Sequence, residues 1–172
     1  LGLSVELTRR GAMRAVRKGA EHRGARALVS HLDTLGAQVK FLKENGRLSL
    51  VPIGTWSARF AEGARVTIHS ELGQHHGTIL PLKASGHTYN KEIDTQPSEW
   101  SNLEIRVDRR IHSKQDLIDH SINIGDTVVV HANPVFSDDG FVCSRHLDDK
   151  AGVAALLTAA KAIVDGKFKL PL

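Results

Sequence analysis

Ser4-Val5-Glu6-Leu7-Thr8 alternates polar and apolar side chains, and Ala12-Met13-Arg14-Ala15-Val16 does so again after Arg9-Arg10-Gly11. Period-two alternation marks a half-buried strand, so the two runs and their Gly-containing break predict a hairpin. Ala25 to Ser30 is mostly apolar and predicts a buried central strand, which runs straight into His31-Leu32-Asp33-Thr34. From about Gln38 to Ser137 the texture changes to short β-type runs: Val39–Phe41, Arg47–Pro52, Arg65–His69, His76–Leu80, Glu104–Val107 and Thr127–His131. Asn45-Gly46, Glu62-Gly63 and Leu72-Gly73 supply turn chemistry between them. Many short strands with little helix predict a compact β-barrel or sandwich. Its one good helix candidate is Ser113 to His120, with Ser113 as N-cap and Gln115-Asp116 in the first turn. The polar passage Lys83 to Asn102 is long for a loop, and such loops are usually functional or mobile.

After a turn from Asn133-Pro134 to Gly140 the chain re-enters a strand at Phe141. The segment from Lys150 to about Val164 is apolar nearly all round, which predicts a helix packed inside a larger body. The chain therefore leaves an α/β domain near Gly36, builds a separate β domain and returns near Phe141. The expected fold class is α/β with an inserted all-β domain, divided as 1–37, 38–137 and 138–172.

Composition narrows the picture. With 172 residues and 41% hydrophobic content the chain can bury a core in one or two domains. Its basic residues cluster only near the start, at Arg9, Arg10, Arg14, Arg17, Lys18, Arg23 and Arg26. Aromatic residues make up 5% of the chain and no stacking motif accompanies the cluster, so a nucleic-acid partner is not expected. The single cysteine, Cys143, excludes an internal disulfide framework and suits a reducing compartment, with cytoplasm the default. No apolar run approaches the roughly 20 residues of a membrane span, so no membrane partner is expected. The missing initiator Met and the end at Phe168-Lys169-Leu170-Pro171-Leu172 read as a segment within a longer protein.

Two stretches carry candidate chemistry. His31 and Asp33 lie two apart, so in an extended chain they point to the same side, where Asp33 can fix the orientation and basicity of a metal-binding His31. The alternative is a hydrogen-bonded histidine at a strand end. Ser144-Arg145-His146-Leu147-Asp148-Asp149-Lys150-Ala151-Gly152 places two carboxylates where a strand passes into a helix, suited to a metal or simply to capping the helix. Both stretches flank the same insertion. If it leaves and rejoins neighbouring strands, they meet at one carboxyl edge, where open α/β sheets place their sites.

Together these motifs resemble the glutamyl aminopeptidase and tetrahedral aminopeptidase family of two-metal peptidases, over nearly the whole chain. His31-Leu32-Asp33 is similar to the family's first ligand motif, in which the His ligates and the Asp supports it. Asp148 resembles the carboxylate that bridges both metals, followed by the supports Asp149 and Lys150 and by Gly152. Ser113-Lys114-Gln115-Asp116 and Ile122-Asn123-Ile124-Gly125-Asp126 look like the family's helix and Gly-Asp turn. The nearest branch is that named for the N-acetylglutaminylglutamine amide osmoprotectant system. The resemblance implies a partial three-layer catalytic domain around a small β-barrel, two divalent ions (zinc or cobalt), a bridging water, a peptide substrate with a free α-amine, and a homo-oligomer. It also implies a cis peptide between Asp148 and Asp149.

Departures from the pattern bound this reading. Thr34 stands where an acidic residue is usual. The family's general-base Glu, the adjacent Glu ligand and the later Asp and His ligands lie farther beyond the bridging Asp than this chain reaches. The expectation is a central fragment with no peptidase activity of its own. The rival is a non-catalytic β-barrel binding or assembly module in which His31 and Asp148 are structural. Among the other histidines, His69, His75 and His76 are expected to be exposed on a hairpin. His87 resembles a family loop histidine that can reach a neighbouring subunit's active site. Cys143, inside an apolar run, is expected to be a buried thiol.

Overall fold

The structure is a computed structural model describing residues 1–17 and 26–166. Strands β1 (Val5–Leu7) and β2 (Met13–Ala15) form the antiparallel hairpin that the alternation predicts, with Glu6 directly opposite Arg14. Facing opposite charges suit this register, and Arg14 Nη2 donates to Glu6 Oε2 at 2.6 Å. Lys18 and Arg23 of the basic cluster, Ala25 of the expected central strand and the tail Phe168–Leu172 lie outside the described residues.

The six β-type runs become β3 (Gly36–Leu42), β4 (Leu48–Ile53), β5 (Arg65–Ser70), β6 (Gly73–Pro81), β7 (Leu103–Val107) and β8 (Thr127–Val130). They close into an antiparallel barrel in the order β3-β4-β7-β6-β5-β8. Closure leaves no strand edge to pair with another chain. Strand alternation fills the interior: Val66 and Ile68 of β5, Ile79 of β6, Ile105 of β7 and Val128 of β8 are all fully buried. In β3 the register shifts between Val39 and Phe41, a bulge at Lys40. This extra residue puts Val39 and Leu42 inside while Lys40 and Phe41 face out, an arrangement strict alternation does not give. At Gly77 a Cβ would lie 2.7 Å from the Arg106 carbonyl oxygen, so the close approach of β6 and β7 requires glycine there.

The passage Lys83 to Asn102 holds two single-turn helices, α1 (Gly86–Tyr89) and α2 (Glu92–Thr95). Trp100, just beyond them, packs edge-on against Trp56 with ring centroids 4.8 Å apart, and Trp56 Nε1 donates to the Gly36 carbonyl at 2.9 Å. Helix α3 (Lys114–Asp119) carries the expected cap: Ser113 Oγ accepts from the Asp116 amide, and the Asp116 carboxylate accepts from the Ser113 amide. Its Leu117 is fully buried in the barrel core.

Beyond the barrel, β9 (Val135–Phe136) and β10 (Val142–Cys143) pair across the Asp138–Gly140 turn. The last element is α4 (Leu147–Val164), regular only after Asp149, because Asp148 and Asp149 have non-helical dihedrals. The chain forms two compact units, one of Leu1–Asp33 with Leu147–Leu172 and one of Thr34–His146.

Four expectations need correction. Residues 26–30 form no strand, and Leu28 and Val29 are 74% and 88% exposed. An apolar run is a buried strand only where others pair its backbone and cover its faces, and among the described residues none does. For the same reason no residue of α4 is buried, despite its apolar surface. Cys143 is exposed, since its two-residue strand packs against no core. His75 is buried in the barrel, because it alternates inward beside Gly77 and Ile79 on β6. No helix among the described residues is long and apolar enough to cross a membrane.

Candidate metal centre

Within the unit formed by residues 1–33 and 147–172, the segment after Ser30 meets the start of α4. His31 Nε2 lies 3.1 Å from Asp148 Oδ1, while His31 Nδ1 lies 3.2 Å from the Asp33 carbonyl oxygen and 3.4 Å from Asp33 Oδ1. Both ring nitrogens therefore face oxygens that can only accept. A neutral imidazole carries one N–H and would leave one of these contacts as lone pair against lone pair. Either the ring holds two protons, or a cation takes the place of the Nε2 proton. Desolvation lowers the His31 pKa, but the Asp33 carbonyl, the Asp33 carboxylate and Asp148 outweigh it and hold it above the ordinary histidine value.

The two neighbouring carboxylates have different surroundings. Asp149 Oδ2 accepts from Ser30 Oγ at 2.8 Å and Asp149 Oδ1 from the Gly152 amide at 3.1 Å, so both of its oxygens are committed within the fold. The bond to an amide three residues on, from a residue with non-helical dihedrals, is that of an N-cap. The Ser30 hydroxyl, with the His31 and Gly152 amides, holds the Asp149 carboxyl below the usual carboxylate range against the opposing pull of desolvation. A Cβ at Gly152 would overlap the Asp149 carboxylate in this position, so glycine there lets the carboxylate keep its bonds to Ser30 and the Gly152 amide. The Asp148 side chain, by contrast, is 93% exposed and touches only His31 among its polar contacts in the described residues. The peptide bond between the two aspartates is cis.

Lys150 Nζ donates to the Leu32 carbonyl at 2.8 Å, tying the helix start to the residue after His31. The structure thus brings His31, Asp33, Asp148, Asp149 and Lys150 together in one place. His87 belongs to the barrel unit, exposed on α1. Ser30 is a member that sequence reasoning missed. Its only signal is a hydroxyl immediately before the His-x-Asp motif, and serine is too common for that to stand out.

A nitrogen and a carboxylate oxygen that converge and are open to solvent form a donor set suited to zinc or another borderline divalent ion. They supply part of a coordination sphere. Among the described residues no group of three or more His, Cys, Asp or Glu side chains assembles for a metal.

The chain is similar to known proteins over most of its length. The chain is 36% identical over 163 residues to the candidate aminopeptidase YhfE of Bacillus subtilis, covering 94% of this chain and 47% of that protein. It is 22% identical over 148 residues to the glutamyl aminopeptidase of Lactococcus lactis subsp. cremoris, covering 84% of this chain and 41% of that one. The chain thus spans about half the length or less of these curated relatives. Among solved structures, a TET aminopeptidase from a marine-sediment archaeon of the Thaumarchaeota superposes with a TM-score of 0.81 at 20% identity, over 98% of this chain and 46% of that one. The TET1 peptidase of Pyrococcus horikoshii gives a TM-score of 0.76 at 24% identity, over 96% and 48%. At these identities the structural likeness shows the fold. The sequence family described as M42 glutamyl aminopeptidase matches residues 11–172, and the chain belongs to that family.

Proposed function

We propose that this chain is the central part of a metal-dependent aminopeptidase, contributing two metal ligands and a barrel domain to a three-layer catalytic domain of which it holds a part. His31 and Asp148 would hold the two divalent ions, zinc or cobalt, that such an enzyme uses. When bound, such ions polarise a scissile carbonyl and make a water nucleophilic near neutral pH. Asp33 holds His31 in the tautomer with the proton on Nδ1, leaving the Nε2 lone pair for the metal. Asp149 and Lys150 fix the turn that carries Asp148. The observation supporting this reading is His31, whose two ring nitrogens both face oxygen acceptors, with Nε2 3.1 Å from Asp148 Oδ1.

The substrate class is a peptide with a free α-amine. The Pyrococcus horikoshii relative is described as assembling into a tetrahedron or a large octahedral shell. A homo-oligomer is accordingly proposed here, with His87 as a contributor to a neighbouring subunit's site. Assignment to the osmoprotectant branch rests on the His31–Thr34 and Ser144–Gly152 stretches.

The test compares the full-length polypeptide, loaded with zinc or cobalt, on peptides with free and acetylated amino termini. Hydrolysis of the free peptides only, abolished by His31→Ala, is the expected result; equal cleavage of both, or full activity in the variant, would refute it. The 172-residue chain alone is expected to be inactive, and turnover by it with added metal would overturn that part.

A further inference from the structure

His31 and Asp148 are poorly fixed by packing. Their side chains are 50% and 93% exposed, and no residue of α4 is buried. A pair of metal ligands nevertheless has to be held to within about 0.5 Å by groups that are themselves locked in place. Two hydrogen bonds meet this need. Ser30 Oγ donates to Asp149 Oδ2 at 2.8 Å and lies 3.4 Å from the Asp149 carbonyl oxygen. Lys150 Nζ donates to the Leu32 carbonyl at 2.8 Å. These bonds run from the residues immediately before and after His31 to the two residues immediately after Asp148.

We infer that Ser30 is a positioning residue for the metal centre, its hydroxyl tying the His31 segment to Asp149 and so setting His31 Nε2 against Asp148 Oδ1. The inference rests on the metal-centre reading above. Its physical content is a lever at each side of one ligand. Without the hydroxyl the His31 segment loses its side-chain tie to Asp149 and keeps the His31 amide's contact with that carboxylate and the Lys150 bond at Leu32, so the distance from Nε2 to Asp148 is less tightly set. Ser30 also fills one side of the Asp149 carboxylate while the Gly152 amide fills the other. Removing the hydroxyl leaves that carboxylate to the Gly152 and His31 amides, and it sets the backbone that carries Asp148 less firmly.

The test uses the full-length polypeptide and cobalt(II) alone as the probe. Affinity is measured by competition with a chromophoric chelator, and the visible absorption of bound cobalt reports its ligand geometry. Ser30→Ala is expected to weaken cobalt binding about 10- to 100-fold, the usual effect of losing a residue that orients a ligand, and to shift the visible band. Ser30→Thr, which keeps the hydroxyl, is expected to restore both. Ser30→Cys, isosteric with a weaker donor, tests the same bond should the alanine variant fail to fold, and is expected to fall between. Wild-type affinity and spectrum in Ser30→Ala or Ser30→Cys would overturn the positioning role alone, as would a threonine variant no better than alanine. A wild-type polypeptide that binds no cobalt would overturn the metal-centre reading and this inference with it.

Discussion

His75 shows how one residue ties barrel stability to pH. It is 8% exposed, and Arg109 Nε donates to its Nδ1 at 3.1 Å, which leaves Nε2 to carry the proton of the neutral ring toward Ser70 Oγ at 3.3 Å. Burial, then the charges of Arg109 and His120, push its pKa below the ordinary histidine value, with the His120 backbone and Asp126 opposing. A histidine whose folded pKa is depressed binds its proton more readily when unfolded. Its stabilising contribution is therefore complete above an unfolded pKa of about 6.5 and is lost as pH falls below that. Both tryptophans of the chain, Trp56 and Trp100, lie in the barrel unit, so their fluorescence follows that unit alone. The urea midpoint read this way is expected to fall between pH 7.5 and 5.5. The slope should flatten in His75→Gln, which can still accept from Arg109 but does not titrate; a pH-independent wild-type midpoint contradicts this. At this scale the sequence offers residue types without their environments. It marks Asp148 and Asp149 as adjacent carboxylates, but it does not show that the second oxygen of Asp149 is taken up by Ser30, a residue 119 positions away.

Local patterns carry much more at the scale of elements. The six barrel strands follow from short β-type runs between turn signals, and α3 from Ser113 with Asp116 three residues on. Those signals are made by neighbours in sequence, so they survive without knowledge of the fold. Ser113→Ala removes one half of the capping box on a helix whose Leu117 is buried in the core, and is expected to cost the barrel roughly 1 kcal/mol in urea unfolding. No change in midpoint would show that the helix end is held by packing alone. What the pattern could not show is the bulge at Lys40, which is set by how β3 must meet both β4 and β8. Nor could it show that the apolar 26–30 run and α4 are uncovered among the described residues. Hydrophobicity specifies that a surface wants a partner without supplying it.

For the whole molecule, the division into two units follows where the core lies. Every hydrophobic residue of the buried cluster, from Ala37 to Val130, belongs to the Thr34–His146 unit. Residues 34–146 expressed alone are therefore expected to unfold in one cooperative transition with the same tryptophan signal as the longer chain. A broad, non-cooperative loss would mean that the barrel depends on the other unit. The proposed metal ligands lie in that other unit, on segments held by few hydrogen bonds and little burial, in a chain about half the length of its relatives. The proposed aminopeptidase chemistry requires that His31 and Asp148 bind metal in the proposed full-length polypeptide. The most direct measurement is the zinc or cobalt content per chain of the full-length polypeptide after exhaustive dialysis, with Asp148→Ala beside it. Two ions per chain, lost in the variant, are predicted; no bound metal, or two ions retained without Asp148, would contradict the account.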